Sequence, residues 1–210
     1  MKLYLDSLSL KYPCKLNPSV PQSSSKASSV VVPLYSDTNG NFSVILTKRN
    51  ENLKNHPGQI SFPGGVKGQG ENLMETALRE WEEEVGDNRH SLEVLGSFGE
   101  FNTFTGYVIV PFIAYYKGNF NFKPNPDEVE RMILLDLESF HSEPFYEMEN
   151  PRNPGKSIYY LRLSNDILWG ATAQILVSFL SEFGNFERRG EKVFPNLNKP
   201  PFFSPDIYSK

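Results

Sequence analysis

The chain has 210 residues, 39% of them hydrophobic, and its 16 Phe and 10 Tyr supply core material for one ordinary domain with extra segments at its ends. A formal net charge of −4 with both signs interspersed gives no basic footprint for nucleic acid. The single cysteine, Cys14, excludes an internal disulfide and a thiolate metal cluster.

At the N-terminus Leu3, Leu5, Leu8 and Leu10 recur at apolar positions, but Asp6 and Lys11 interrupt any signal-peptide core. A Ser/Pro-rich run over 18–25 reads as a linker. Residues 1–28 are therefore expected to be a docking segment with its linker, 29–183 the main domain, and 184–210 a tail rich in Pro and aromatics. SVVVPLY (29–35) reads as a buried strand, Asn39-Gly40 as a hairpin turn, and FSVILT (42–47) as the returning strand. Lys48 and Arg49 close that strand and a polar loop follows over 50–58. Lys48, Arg49, Lys54 and His56 offer donors for a substrate with several phosphates; a lysine brings charge without the planar fork of arginine.

Residues 65–86, GVKGQGENLMETALREWEEEVG, carry the densest signal. Gly64, Gly65, Gly68 and Gly70 permit a loop whose backbone can approach a phosphate closely. In the helix that follows, Met74, Ala77, Leu78, Trp81 and Val85 share one face suited to burial on a sheet. Glu80 and Glu84 stack four apart, with Glu82 and Glu83 crowding the same turn. Such like-charge pairs repel by roughly 0.2–0.5 kcal/mol each, at a helix end whose dipole favours cations. A solvated acidic face is one reading. A bridging hard divalent cation, which takes oxygen ligands, is the other. Arg79 reaches Glu75 or Glu83 at i,i+4 spacing and would hold a carboxylate in place. Glu71 and Asn72 stand where a Walker loop needs Lys then Ser or Thr, and Leu73 where a dinucleotide fingerprint needs glycine.

Downstream, 92–101 reads as a strand with a glycine bend, and YVIVPFIAYY (107–116) as a strand in which Pro111 implies an edge or a bulge. A polar loop over 119–127 leads to a strand over 128–135, then a helical turn over 136–140. Residues 141–154 read as a loop long enough for a lid or substrate wall, and 156–163 as a strand. Asn165 or Asp166 is expected to cap a helix whose core stripe is Leu168, Thr172, Ile175, Leu176, Phe179, Leu180 and Phe183, with Trp169 in the core. The apolar stretch 167–183 is too short and too polar to span a membrane. The aromatics of the tail suit packing on the domain, or on a second copy in a homodimer. A cytoplasmic α/β protein is the default expectation, with a mixed sheet covered by helices on both faces.

Gly65, Glu71, Arg79, Glu80, Glu83, Glu84 and Gly86 fall in the register of the Nudix box, G-x5-E-x7-R-E-U-x-E-E-x-G-U, with Trp81 and Asp87 departing at the two bulky aliphatic (U) positions. The run LTKR (46–49) followed by LKNHPGQISFPGG (53–65) resembles the motif that precedes the box in the coenzyme A pyrophosphatase branch of Nudix hydrolases. Asn50 stands where that branch usually has Ser or Ala, and Lys54 where it has Arg. The strings TGYVIVPF (105–112) and LWGATA (168–173) also resemble this branch. The resemblance implies a Nudix-type α/β/α sandwich with a mixed β-sheet and a small-molecule diphosphate substrate, coenzyme A or a derivative. Hydrolysis would use Mg²⁺ or Mn²⁺ and give 3′,5′-ADP and 4′-phosphopantetheine or its acyl form. It further implies that Glu80 and Glu84 hold the metal, that Glu83 adds a ligand or a second site, and that Arg79 orients the carboxylates. Glu71 shapes the turn, Gly64 and Gly65 approach the phosphates, and Glu128, with Asp127 and Glu130 behind it, supplies a third ligand or the general base. The alternatives are another nucleoside diphosphate derivative such as ADP-ribose, and a non-catalytic Nudix ligand-binding regulator.

Overall fold

The computed structural model describes residues 26–103, 106–138, 140, 145–150, 155–163, 166–184, 186–187 and 191–192. The expected docking segment before Lys26, Asn165 and most of the tail lie outside them. Strand β1 (Lys26–Ser36) turns into β2 (Phe42–Arg49), and β3 (Ile60–Ser61) and β4 (Gly64–Val66) follow the polar loop. Asp37 makes the turn: its Oδ1 accepts from the N–H groups of Asn39 and Asn41, both at 2.8 Å. Helix α1 (Leu73–Glu80) runs into a π-turn (Trp81–Val85). Then come β5 (Leu92–Ser97), β6 (Phe101–Asn102), β7 (Tyr107–Tyr116) and β8 (Val129–Asp136). These eight strands form one sheet, in which β1 and β7 are parallel and the other pairings antiparallel.

Alternation along the central strands gives the sheet two apolar faces. Val31, Ile45, Val110 and Phe112 pack on Leu73 and Ala77 of α1 and on Trp81 and Val85 of the π-turn. Val32, Leu34, Val44, Leu46 and Ile113 pack on α2 (Gly170–Phe183), through Ile175, Leu176, Phe179 and Phe183 among others. The helix faces expected from spacing are the faces buried, and the mixed-sheet α/β/α sandwich is the observed architecture.

Four details depart from expectation. Pro111 is on an interior strand, not an edge: β7 has β1 on one side and β5 with β6 on the other. Its missing N–H is tolerated because the neighbouring strand breaks between Ser97 and Phe101, while its carbonyl accepts from Phe98 N–H at 2.8 Å. Second, the region read as a loop contains strand β9 (Phe145–Glu149). With β10 (Ser157–Leu163), β11 (Asp166–Trp169) and β12 (Glu191–Lys192) it makes a second, four-stranded sheet, ordered β11-β10-β9-β12. Third, Asp166 does not cap a helix; it begins β11, and α2 starts at Gly170 with Trp169 extended before it. Fourth, Trp169 is half-buried and stacks on Tyr160 at 6.5 Å between centroids, outside the main cores. Within the tail, Phe186 is buried against the rings of Phe140 and Phe145. Among the described residues no helix is long and apolar enough to cross a membrane.

Candidate active site

The box helix is anchored at its start by a reciprocal cap. Asn72 Oδ1 accepts from Glu75 N–H at 3.0 Å, and Glu75 Oε2 accepts from Asn72 N–H at 2.7 Å. That engages Glu75, so Arg79 pairs elsewhere. At the other end Trp81 and Val85 are fully buried, and Gly86 leaves the π-turn at φ 67°. A Cβ on Gly86 would collide with the Lys123 carbonyl, which suits a glycine there.

Between Trp81 and Val85 the turn buries a carboxylate. Glu84 is only 2% exposed. Its Oε2 accepts from Gly64 N–H at 3.3 Å, and its Oε1 lies 3.7 Å from Arg49 Nη1. Burial and the neighbouring Glu80 push its pKa up to about 8; Arg49 and the Gly64 amide oppose this, and Glu128 adds to it. The pKa of half-buried Glu80 is also raised, by burial first, against Arg79, with Glu83 and Glu128 contributing. A Cβ on Gly65 would run into the Glu80 carboxylate, so glycine at 65 lets strand β4 pass over that side chain.

Arg79 is the hub of the outer carboxylates. Its Nε donates to Glu71 Oε1 at 2.6 Å, and its Nη1 reaches Glu80 Oε1 at 2.9 Å and Glu83 Oε2 at 2.7 Å. Glu71 also accepts from Thr76 Oγ1 at 2.9 Å and Gly68 N–H at 3.0 Å. Arg79 above all, then Thr76 and the Gly68 amide, hold the Glu71 carboxyl down at about 2. Of the expected Arg79 partners Glu83 is engaged, while the Glu71 bonds, eight residues back, bind the glycine loop to the helix.

The expected phosphate donors divide. Arg49 lies at Glu84. Lys48, by contrast, is enclosed by Glu130 at 3.2 Å, Asp166 at 3.4 Å and Glu51 at 3.6 Å, and is not free for a phosphate. Lys54 and His56 stand exposed on the loop between β2 and β3, with His56 at φ 56°, unusual for a residue with a side chain. Glu128 precedes β8, half-buried, and accepts from Asn125 Nδ2 at 3.4 Å. Of the two acids placed behind it, Glu130 is drawn to Lys48, and Asp127 is exposed. Asn50, which the sequence marks only as a departure from the branch pattern, and Asn125, which no sequence signal marked, bond the backbone around Glu128.

Residues 25–154 match the family model described as the NUDIX domain. The chain belongs to the Nudix family. It is 29% identical over 176 residues to a protein described as the uncharacterized Nudix hydrolase NudL of Pectobacterium atrosepticum, covering 82% of this chain and 91% of that one. The protein of the same description from Yersinia enterocolitica is 32% identical over 136 residues, covering 63% and 70%. Among solved structures, a MutT/nudix family protein from Enterococcus faecalis superposes with a TM-score of 0.52 at 17% identity, over 79% of this chain and 64% of that one, which speaks for the Nudix fold alone.

Nudix hydrolases use divalent cations, and the donor set here fits one in type. Glu84 and Glu80 offer carboxylate oxygens whose pKa values are raised by burial first, with Glu80 adding at Glu84 and Glu83 and Glu128 adding at Glu80, a conflict that a hard cation relieves. Among the described residues no three potential ligands are gathered closely enough to hold a metal as they stand. Arg79 accounts for part of this, since its Nη1 engages both Glu80 and Glu83.

Proposed function

We propose that this Nudix protein hydrolyses the diphosphate bond of coenzyme A or a derivative, giving 3′,5′-ADP and 4′-phosphopantetheine or its acyl form. The observation that carries the reading is the burial of Glu84 at the meeting point of two motifs: Arg49 and Gly64, near opposite ends of the segment that resembles the coenzyme A branch, both face its carboxylate. Glu80 and Glu84 hold Mg²⁺ or Mn²⁺, with Glu83 completing the set once turned from Arg79. Bound there, the cation neutralises phosphate oxygens and lowers the pKa of the attacking water. Glu128 would add an oxygen ligand beside Glu84, leaving a nearby carboxylate to take the proton of the attacking water. Arg79 orients Glu80 and Glu83, and Glu71 fixes Arg79. The amides around Gly64 and Gly65, with Arg49, Lys54 and His56, bind the phosphates.

A second reading has one observation in its favour. With Lys48 enclosed by three carboxylates, a donor for an additional phosphate is lost, which suits a nucleoside diphosphate derivative with fewer phosphates, such as ADP-ribose. The non-catalytic reading gains no support, because every box carboxylate is in place.

The test is incubation of the protein with coenzyme A, and separately with ADP-ribose, with and without Mg²⁺ or Mn²⁺, followed by product separation. Metal-dependent 3′,5′-ADP is the expected result. Turnover of ADP-ribose alone discards the coenzyme A assignment, and no turnover of any diphosphate discards the hydrolase reading.

A further inference from the structure

Regular pairing between β2 and β8 ends before it reaches Glu128. The register shifts between Lys48, paired with Arg131, and Arg49, paired with Val129, so the ladder carries an irregularity where the carboxylate-bearing loop enters the sheet. Something other than the ladder must fix that loop. On one side it is joined to the box helix: Lys123 N–H donates to Val85 O at 3.1 Å and Asn125 N–H to Glu84 O at 3.2 Å. On the other side, among the described residues, Asn50 does the joining. Asn50 Nδ2 donates to Pro126 O at 2.8 Å, Asn50 N–H donates to Glu128 O at 2.8 Å, and Asn50 Oδ1 accepts from Asn52 N–H at 2.9 Å.

We propose that Asn50 is a positioning residue of the active site, clamping the 125–128 loop between the end of β2 and the box helix so that the Glu128 carboxylate is held beside Glu84. The side chain that does this needs a donor and an acceptor at once. Its amide NH₂ reaches the Pro126 carbonyl, an acceptor that has no amide of its own to share, while its oxygen stiffens the turn at Asn52. Serine is too short to do both, and alanine does neither. Asn125 completes the clamp: its carbonyl accepts from Glu128 N–H at 3.1 Å and Val129 N–H at 2.8 Å, and its side chain reaches the Glu128 carboxylate. The branch-atypical Asn50 thereby acquires a role that Ser or Ala could not fill. The inference rests on the reading that Glu128 works with Glu80 and Glu84 at a cation.

Mn²⁺ affinity without substrate, followed by the signal of the free ion, tests it in a double-mutant cycle of Asn50→Ala and Glu128→Gln. Each single variant is expected to weaken Mn²⁺ binding, Asn50→Ala by about tenfold, the range of partners that orient metal ligands. In the Glu128→Gln background Asn50→Ala adds nothing further, because it acts through that carboxylate. Asn50→Ser behaves as Asn50→Ala, and it carries the same comparison if the alanine variant folds poorly. Unchanged Mn²⁺ affinity in either single variant, or full additivity in the double, overturns the proposal. Wild-type turnover of coenzyme A is recorded alongside. No turnover with the Mn²⁺ pattern intact sinks the substrate reading and leaves the clamp; turnover with an unaltered Asn50→Ala affinity does the reverse.

Discussion

Arg49 faces Glu84 with Nη1 3.7 Å from Oε1, while Arg49 Nε is buried without a hydrogen-bond partner among the described residues. The separation exceeds a hydrogen bond, so the guanidinium acts on Glu84 as a charge. Arg49→Gln removes that charge from a carboxylate already beside Glu80. At pH 9 the metal-free variant is expected to lose about 1 kcal/mol of stability, because without its partner charge the Glu84 carboxyl ionises less readily in the folded protein. At pH 5, where Glu84 is protonated, the loss shrinks. Urea unfolding at the two pH values measures the difference.

The raised pKa of Glu84 sets a pH dependence of its own. A carboxyl titrating near 8 when folded and near 4.5 when unfolded binds its proton more tightly in the native state. Its contribution to metal-free stability is complete below about 4.5 and is lost as pH rises through about 8. A cation competes with that proton, so the rise in Tm on adding Mg²⁺ or Mn²⁺ grows over the same window. Thermal scans from pH 5 to 9 with and without metal test this. In Glu84→Gln the Glu84 contribution to both trends is absent.

Glu71 has the opposite sign. Its carboxyl is held down at about 2 by Arg79, Thr76 and the Gly68 amide, so its contribution is present above about 4.5 and is lost as pH falls toward about 2. Glu71→Gln is expected to flatten that part of the acid-unfolding curve followed by circular dichroism. Arg79→Lys retains the charge but not the fork that spans Glu71, Glu80 and Glu83, and is expected to cost about 10–100-fold in kcat with the fold kept.

What could be read from the sequence was local. Met74, Ala77, Leu78, Trp81 and Val85 repeat at helical spacing, and they lie in or against one core; the strands around Asn39-Gly40 carried their own turn signal. Short strands in mixed surroundings were illegible. β9, FYEME, holds two glutamates between prolines, and four-residue β11 runs directly into the pattern of the following helix. At the site, the box spacing announced Glu80, Glu83 and Glu84, but the enclosure of Lys48 by Glu130 and Asp166 depends on contacts 82 and more positions away. Asn50 was visible only as a departure from a pattern, because its partners are backbone groups of Pro126 and Glu128, which leave no trace in residue type.

The proposed function turns on Glu84 being a buried metal ligand and not a structural acid. The most direct measurement is kcat for coenzyme A at saturating Mg²⁺ in wild type and in Glu84→Gln, with the Tm of each metal-free protein recorded. The proposed function predicts a loss of about 10²–10⁴-fold in the variant, a span typical of removing a group that acts in the chemical step, with a metal-free Tm at pH 8 no lower than wild type. Wild-type kcat in a folded Glu84→Gln protein would contradict it.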